Sequence, residues 1–250
     1  MSQQSQALDF TQQHKKYSPV MLYNIWDAGS AQTVAQAGAT AIATGSWSCS
    51  AAQGYQDGEE MPFSVLLHTV QRIASTVSQP LTVDFETGYG ANKRDNLAAL
   101  LQAGVAGINV EDQLMGLSAL NGIAEQCQLL SALRQVAEAH EIALFINART
   151  DVFLRAPDPA EHPQLMAEAK ERLLAYQDAG ASGFFVPGLS DPALIAELCE
   201  FSALPVNIMV SDLTPPVAQL SELGVSRISF GPRPYIDLMA RLREQALAIL

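Results

Sequence analysis

The chain has 250 residues, 48% of them hydrophobic and 16% charged, with a formal net charge of −12 at pH 7 and a sequence pI near 4.6. This acidity, without a cluster of Lys and Arg, argues against a nucleic-acid partner, and no apolar run approaches the roughly 18 residues of a membrane span. The polar, Gln-rich N-terminus lacks the apolar core of a secretory signal, so we expect a cytoplasmic protein with no membrane partner.

Short β-branched or apolar runs alternate along the chain with amphipathic segments, which is the pattern of repeated βα units. A first short helix is predicted over Ala7–Lys16, where it could cover the bottom of a barrel. Eight strands follow, at Val20–Ile25, Thr40–Thr44, Leu81–Phe85, Ala106–Val110, Ala143–Asn147, Gly183–Val186, Pro205–Met209 and Arg227–Phe230. The intervening helices are predicted to begin near Ala28, Pro62, Lys93, Gly122, Pro163, Asp191 and Thr214, and the last to run from Pro234 to Leu250.

Eight strand–helix repeats without a dividing linker predict an α/β protein with one domain, a (β/α)8 barrel over residues 1–250. A doubly wound open sheet is the alternative, but no GxGxxG-type turn supports it. Two loops are unusually long, Gly45–Met61 after the second strand and Arg149–His162 after the fifth. Both belong to the face where barrel enzymes carry their chemistry, so we expect them to be functional.

Acidic residues are concentrated at the ends of the third and fourth strands, which are neighbours in a barrel. Asp84 and Glu86 are two residues apart and therefore leave an extended chain on the same side, and Glu111 ends the next strand. Three carboxylates so close together would repel one another unless a cation compensates them. An oxygen-only set predicts Mg²⁺ bound at Asp84, Glu86 and Glu111, with Mn²⁺ as an alternative ion. The other interpretation is that these acids pair with Arg or cap helices.

Three further strand-end features suggest how a small organic acid could bind. Arg149 could hold a carboxylate bidentately and stabilise developing oxyanion charge, or it could merely neutralise Asp151. The backbone N–H groups of Thr44, Gly45 and Ser46 could receive a substrate carboxylate. Asp57, in the long loop, could act as an acid, a base or an orienting group when that loop closes, or it could simply form a turn before Gly58.

The cysteines and histidines are weaker candidates. Cys49, Cys127 and Cys199 are odd in number and far apart, which excludes both a disulfide framework and a CxxC metal site. Cys49 lies in the long loop without an obvious base beside it, so an inert thiol is expected. His162 ends the other long loop and is the single histidine near the catalytic face.

A series of motifs follows the strands in chain order: NIWDAGS at 24–30, AIATGS at 41–46, GYQDG at 54–58, DFETGYG at 84–90, GINVED at 107–112, INARTD at 146–151 and FVPG at 185–188. Over about residues 20–232 these motifs resemble the isocitrate lyase/phosphoenolpyruvate mutase superfamily. Because so many match in order, the resemblance is highly specific.

The resemblance implies a (β/α)8 barrel that often forms dimers or tetramers by exchanging its last helix. It also implies Mg²⁺ held near Asp84, Glu86 and Glu111, largely through water, and a 2-oxo-carboxylate substrate whose carboxylate meets the Thr44–Ser46 region and Arg149. Mg²⁺ and Arg149 would stabilise the enolate. Further substrate contacts are expected from Trp26, Asp84 and Asn207, and the catalytic set is expected to be Asp57, Glu111 and Arg149.

The chain also departs from the pattern of this family, and these departures narrow the range of reactions that we expect. The Lys-Lys/Arg-Cys-Gly-His segment of the family's isocitrate lyases is replaced by Gln113–Asn121, which contains neither Cys nor His. The Lys and Asn with which phosphonopyruvate-making mutases hold the phosphoryl group correspond to the apolar Leu117 and Ala119. Glu86 stands where an Asp is commoner.

The leading hypothesis is therefore a Mg²⁺-dependent lyase or decarboxylase that acts on a C–C bond of a small 2-oxo or 2-hydroxy acid through an enolate. A phosphoenolpyruvate phosphonomutase or phosphonopyruvate hydrolase is the alternative. A non-catalytic oxo-acid binding protein is a hypothesis of another class, since a fold alone does not determine function.

Overall fold

Eight parallel strands, each followed by at least one helix, form the centre of the molecule. The computed structural model describes residues 2–114, 116–117 and 119–250. The strands are β1 Val20–Leu22, β2 Ile42–Ala43, β3 Leu81–Asp84, β4 Gly107–Glu111, β5 Phe145–Arg149, β6 Gly183–Phe185, β7 Val206–Met209 and β8 Arg227–Ser229. The helices are α1 Gln3–Gln13, α2 Ala28–Gln36, α3 Ser46–Ala52, α4 Phe63–Ala74, α5 Lys93–Gln102, α6 Ile123–Ala139, α7 His162–Asp178, α8 Pro192–Phe201, α9 Val217–Glu222 and α10 Arg233–Leu247.

The sheet closes into a barrel. Its strand order is β1-β8-β7-β6-β5-β4-β3-β2, and each neighbouring pair is parallel. A single parallel bridge between Ile25 and Thr44 joins the two ends, with the Ile25 N–H donating to Ala43 O at 2.8 Å and the Gly45 N–H donating to Ile25 O at 3.2 Å. The predicted (β/α)8 barrel is therefore confirmed.

Two predicted helix starts illustrate how local chemistry sets the boundaries. Asp191 caps α8 as expected, because its Oδ1 accepts from the N–H groups of Ala193 and Leu194 at 2.8 and 3.0 Å. The start predicted near Thr214 is three residues early, and α9 begins at Val217. The Thr214 hydroxyl instead closes a turn by accepting from the Ser211 N–H at 3.0 Å.

The N-terminal helix covers the bottom of the barrel, although it spans Gln3–Gln13 rather than the predicted Ala7–Lys16. Phe10 is fully buried and meets the ring of Phe145, at the start of β5, edge-on at 5.5 Å. A Cβ at Gly107 would lie 2.7 Å from the Phe10 ring, so only glycine at the start of β4 leaves space for this ring. The carboxyl ends of the strands, where barrel enzymes carry their chemistry, lie at the other end of the barrel.

No helix within the described ranges combines the length and hydropathy that a membrane crossing requires.

Candidate active site

A cavity of about 170 Å³ opens among the carboxyl ends of the strands. Three charged side chains of the described chain line it, Asp57, Asp84 and Arg149. The other lining residues are Asn24, Gly45, Ser46, Trp47, Asn109, Phe185, Met209, Ser229, Gly231 and Pro232. A cavity at this end of a (β/α)8 barrel is where its chemistry is expected. A larger cleft of about 570 Å³ lies between α2 and α10 and contains none of the strand-end acids of β3 and β4.

Asp84 is the acid that the fold directs most clearly toward this cavity. Its N–H donates to Thr44 Oγ1 at 2.9 Å, and its Oδ2 accepts from the Ser46 N–H at 3.1 Å. Its Oδ1 is buried and has no hydrogen-bond partner among the described residues. A buried carboxylate oxygen without a donor is costly, so a positively charged ligand at this atom would stabilise the site.

Glu86 lies close to Asp84 in sequence but is held by the protein. Its backbone adopts a left-handed conformation, with φ of 47°, and its side chain is 1% exposed. Glu86 Oε1 accepts from the Tyr89 hydroxyl at 2.6 Å, and Oε2 accepts from the Glu59 N–H at 2.7 Å. Burial raises the pKa of Glu86 to about 7. The chain is not extended from Asp84 to Glu86 as expected, because β3 ends at Asp84 and Glu86 has a left-handed backbone; Glu86 does not line the cavity.

Glu59 is a site residue that sequence reasoning missed. Glu59 Oε1 accepts from the N–H and hydroxyl of Thr87 at 3.0 and 2.6 Å and from the Tyr89 N–H at 2.8 Å, and Oε2 accepts from the Gly90 N–H at 3.1 Å. Tyr89 and Gly90 both have positive φ, of 61° and 76°, which gathers successive N–H groups into an anion-binding nest. The glycines of the GYG motif were the available signal for such a nest, but its anion is a protein side chain.

Glu111 and Arg149 form a buried ion pair behind the cavity. Glu111 Oε2 lies 2.7 Å from Arg149 Nη1, while Asp151 holds the same guanidinium bidentately through Nε at 2.6 Å and Nη2 at 2.9 Å. Burial raises the pKa of Glu111 to about 8, and the ion pair with Arg149 opposes that rise. Arg149 therefore both neutralises Asp151 and reaches the cavity, which joins the two roles considered from the sequence.

A second network, also missed, fixes this ion pair from outside the barrel. Asp112, 0% exposed, accepts through Oδ2 from the Tyr176 hydroxyl at 2.7 Å and from Arg172 Nη1 at 3.1 Å. Its Oδ1 accepts from the Asp151 N–H at 3.1 Å. Helix α7 thus positions Asp151, and Asp151 positions Arg149. Arg172 and Tyr176 lie four residues apart on one helical face, a spacing that could have signalled a shared partner.

Asp57 lines the cavity, as a catalytic role requires. It is exposed, lies in the loop between α3 and α4, and accepts a hydrogen bond from the Ser46 side chain. Partial desolvation raises its pKa, and the neighbouring charge of Asp84 adds to that rise. Ser46 contacts both acids, since its backbone N–H binds Asp84 and its hydroxyl binds Asp57.

Several residues predicted to bind substrate lie elsewhere or are already engaged. The N–H groups of Thr44, Gly45 and Ser46 donate to Thr82 O, Ile25 O and Asp84 Oδ2, so none is free to receive a substrate carboxylate. Trp26 packs against Tyr235 at 5.0 Å, lines the cleft between α2 and α10, and does not line the cavity. Glu111 lies behind Arg149 rather than on the cavity wall.

Asn207 was expected to face the mouth, but it is 0% exposed and belongs to a polar layer below the cavity. Its Oδ1 accepts from Asn147 Nδ2 at 3.0 Å, and Asn147 Nδ2 also donates to Asn109 Oδ1 at 3.0 Å. Arg227 Nη2 donates to the same Asn109 oxygen at 2.9 Å. Met209, two residues further along β7, lines the cavity instead. The strand therefore presents its next inward-facing residue to a ligand.

The predicted trio of metal ligands is not assembled for direct coordination. Among the residues that the structure describes, no three His, Cys, Asp or Glu side chains are grouped closely enough to hold one ion. His162 and Cys49 do not line the cavity. His162 Nε2 lies 2.9 Å from Ala156 O within its own loop, and burial raises the pKa of Cys49 to about 12, which fits the expected inert thiol.

Comparison with known proteins places this geometry in a family. The model of the phosphoenolpyruvate phosphomutase family matches residues 10–250. A Burkholderia cenocepacia protein, described as a candidate phosphonomutase, has a crystal structure that superposes with a TM-score of 0.96 at 41% identity, covering 99% of each chain. An uncharacterised Mycobacterium tuberculosis protein is 34% identical over 91% of this chain and 83% of its own length. The 2-methylisocitrate lyase of Escherichia coli is 24% identical over 94% of this chain and 80% of its own length.

These matches extend over nearly the whole chain and include both lyases and mutases. The barrel and its strand-end acids agree with the motifs that the sequence carries. The chain therefore belongs to the isocitrate lyase/phosphoenolpyruvate mutase superfamily.

Proposed function

We propose that this protein is a Mg²⁺-dependent carbon–carbon lyase or decarboxylase that acts on a small 2-oxo or 2-hydroxy acid through an enolate. The observation that carries the proposal is the unpartnered Oδ1 of Asp84 on a small cavity that Asp57 and Arg149 also line. Membership of a superfamily of lyases and mutases supports it. A cavity of about 170 Å³ suits a small acid better than a drug-sized ligand, whose pockets usually exceed 300 Å³.

The carboxylate oxygens of Asp84, Glu86 and Glu111 fit a hard divalent cation. Asp84 would bind it directly, and Glu86 and Glu111 would act through water, because both oxygens of Glu86 and Oε2 of Glu111 already have protein partners. Mg²⁺ commonly binds through one or two carboxylates and keeps several waters, and Mn²⁺ shares its preference for oxygen. When bound, the ion would supply electrostatic stabilisation for negative charge on the 2-oxygen of the substrate.

The protein's own residues would orient the acid and move its proton. Arg149 is held from behind by Glu111 and Asp151, which fixes the guanidinium that reaches the cavity. Its remaining N–H bonds can meet the substrate carboxylate and the developing enolate charge. Asp57 would accept or donate the proton, since its raised pKa favours proton transfer near neutrality more than that of an ordinary Asp.

The proposal is tested with a panel of 2-oxo and 2-hydroxy acids in the presence of Mg²⁺, read by release of pyruvate or glyoxylate. Asp84→Asn should abolish both Mg²⁺ binding, measured by calorimetry, and turnover of the acid that the wild type cleaves. Asp178→Asn, an exposed acid at the end of α7, is the matched control and should retain both. Turnover by Asp84→Asn would refute the metal assignment. Tight Mg²⁺-dependent binding without turnover of any acid would instead favour a non-catalytic binding protein.

A phosphonate activity is the second candidate, favoured by the 41% identity to the Burkholderia protein. Its weakness is the absence of a basic side chain in residues 112–122, the segment that would hold the phosphoryl group. Turnover of phosphonopyruvate or phosphoenolpyruvate, followed by ³¹P NMR, would establish it. An unchanged spectrum would remove it.

A further inference from the structure

We infer that the substrate is a 2-oxo or 2-hydroxy acid with one carboxylate and an uncharged tail, rather than a diacid or a phosphonate. The inference rests on the proposed function and names the substrate class for the same site. It comes from the distribution of cations and apolar side chains around the cavity.

Cations are nearly absent from the loops that form the catalytic face. Seven of the eight segments between a strand and the helix that follows it contain no Lys, Arg or His: residues 23–27, 44–62, 85–92, 112–122, 186–191, 210–216 and 230–232, with α3 included in the second. The segment after β5 contains Arg155, which is exposed, and the segment after β8 leads into Arg233. Arg233 is also exposed, and it forms ion pairs with Asp212 and Asp237.

Arg149 is the single basic side chain on the described cavity wall, and the carboxylates of Glu111 and Asp151 already balance its charge. Each of its three guanidinium nitrogens lies within 2.9 Å of an oxygen of Glu111 or Asp151. Asp57 and Asp84 add two further acidic groups to the wall. One substrate carboxylate can be accommodated by Arg149 together with a divalent ion at Asp84. A second would find no cation and would be repelled by Asp57.

The rest of the wall suits an apolar tail. Trp47, Phe185, Met209 and Pro232 line the cavity with largely carbon surface. A charged group placed against such a surface loses hydration without gaining a partner, whereas a hydrocarbon group gains by leaving water. The same wall disfavours the doubly charged phosphoryl group of the alternative function.

This substrate class makes the fragment released by carbon–carbon cleavage neutral. For a 4-hydroxy-2-oxo acid, the C3–C4 bond breaks as the 4-hydroxyl proton passes to the carboxylate of Asp57. C4 becomes the carbonyl carbon of an aldehyde or ketone, and the electron pair of the broken bond remains on the three-carbon enolate. Return of the proton to C3 then gives pyruvate, so the atoms and charges balance without a further reactant.

The inference is tested with pairs of acids that share a shape and differ in charge. Oxaloacetate and 4-methyl-2-oxopentanoate have the same number of non-hydrogen atoms, with an isopropyl group replacing the second carboxylate. Malate and 2-hydroxy-4-methylpentanoate form a second, chemically stable pair. Calorimetry with the wild-type protein in Mg²⁺ should show tighter binding of the uncharged-tail member, by about tenfold or more, which corresponds to about 1.4 kcal/mol.

A variant that adds the missing cation should invert the preference. Met209→Lys places an ammonium group on the cavity wall and should strengthen diacid binding relative to its partner by about tenfold. Leu213→Lys adds the same charge at a residue that is 67% exposed and outside the cavity, and it should leave the ratio unchanged. If Met209→Lys does not fold, the wild-type ratios still decide the matter.

The outcomes separate this inference from the proposed function. Equal or tighter binding of the diacids by the wild type would overturn the inference while leaving Mg²⁺-dependent pyruvate binding, and hence the proposed function, intact. Failure of pyruvate and all the paired acids to bind in Mg²⁺ would overturn both.

Discussion

At the scale of single residues, Arg149 carries most of the electrostatic organisation of the site. It joins the end of β5 to Glu111 at the end of β4 and to Asp151 in the following loop. A planar guanidinium can satisfy both acids and still present N–H bonds to a ligand, whereas an ammonium group cannot reproduce that geometry. The residue is thus positioned by its neighbours rather than by its own strand alone.

Arg149→Lys should therefore retain the charge but lose the bidentate contact with Asp151 and the geometry facing the substrate. We expect kcat/KM to fall by roughly 100-fold or more, in the range found when one oxyanion donor is removed. Steady-state kinetics with the acid identified by the panel measure the effect. Arg233→Lys, at an exposed ion pair outside the cavity, is the control, and a near-normal kcat/KM in Arg149→Lys would refute the assigned role.

At the scale of secondary-structure elements, the site depends on contacts between loops that follow different strands. Glu59, between α3 and α4, fills the nest formed by Thr87, Tyr89 and Gly90 after β3. In the same way, Asp112 after β4 is held by Arg172 and Tyr176 of α7. The Glu59 contacts stabilise the positive φ of Tyr89, which would otherwise be unfavourable at a non-glycine residue.

Glu59→Gln should weaken the attachment between these two loops, because hydrogen bonds to a charged acceptor are stronger than those to an amide oxygen. We expect the free energy of unfolding to fall by roughly 1–3 kcal/mol and hydrogen exchange at the Tyr89 and Gly90 amides to accelerate. Glu60→Gln changes an exposed neighbouring acid and is the control. Unaltered exchange at both amides in Glu59→Gln would show that the carboxylate does not hold the nest.

At the scale of the whole molecule, α10 is a long helix that the rest of the chain covers only at its start. Pro234 is its single buried residue, and several large apolar side chains are exposed: Ile236, Leu238, Leu242 and Leu247, with Ile249 and Leu250 beyond its end. Several exposed large apolar residues on one helix are typical of a surface that meets another protein surface. We therefore propose that α10 contributes to a dimer or tetramer of this chain.

Leu242→Lys should weaken that assembly, because it places a charge in the proposed interface. Analytical ultracentrifugation should show a dimer or tetramer for the wild type and an increase in the dissociation constant of about tenfold or more for the variant, or about 1.4 kcal/mol. Leu213→Lys adds the same charge at an exposed residue outside α10 and should have the smaller effect. A monomeric wild-type protein at micromolar concentration would contradict the proposal.

The sequence alone determined the barrel and the end of it that holds the candidate site. Alternation of apolar runs and amphipathic segments is a local property, and eight such repeats have few arrangements that bury every strand. The carboxyl ends of parallel strands meet at one face, so the sequence predicts that Asp84, Arg149 and the loop carrying Asp57 lie close together. In the structure all three line one cavity.

Only the tertiary structure decided which acids face that cavity and which bind within the protein. Glu86 follows β3 in a left-handed conformation, and its oxygens bind Tyr89 and Glu59 instead of lining the cavity. Asn207 lies in the barrel below the cavity floor, and Met209, the next inward-facing residue of β7, lines the cavity. These outcomes depend on hydrogen bonds between segments that are distant in the chain, and strand periodicity carries no information about such partners.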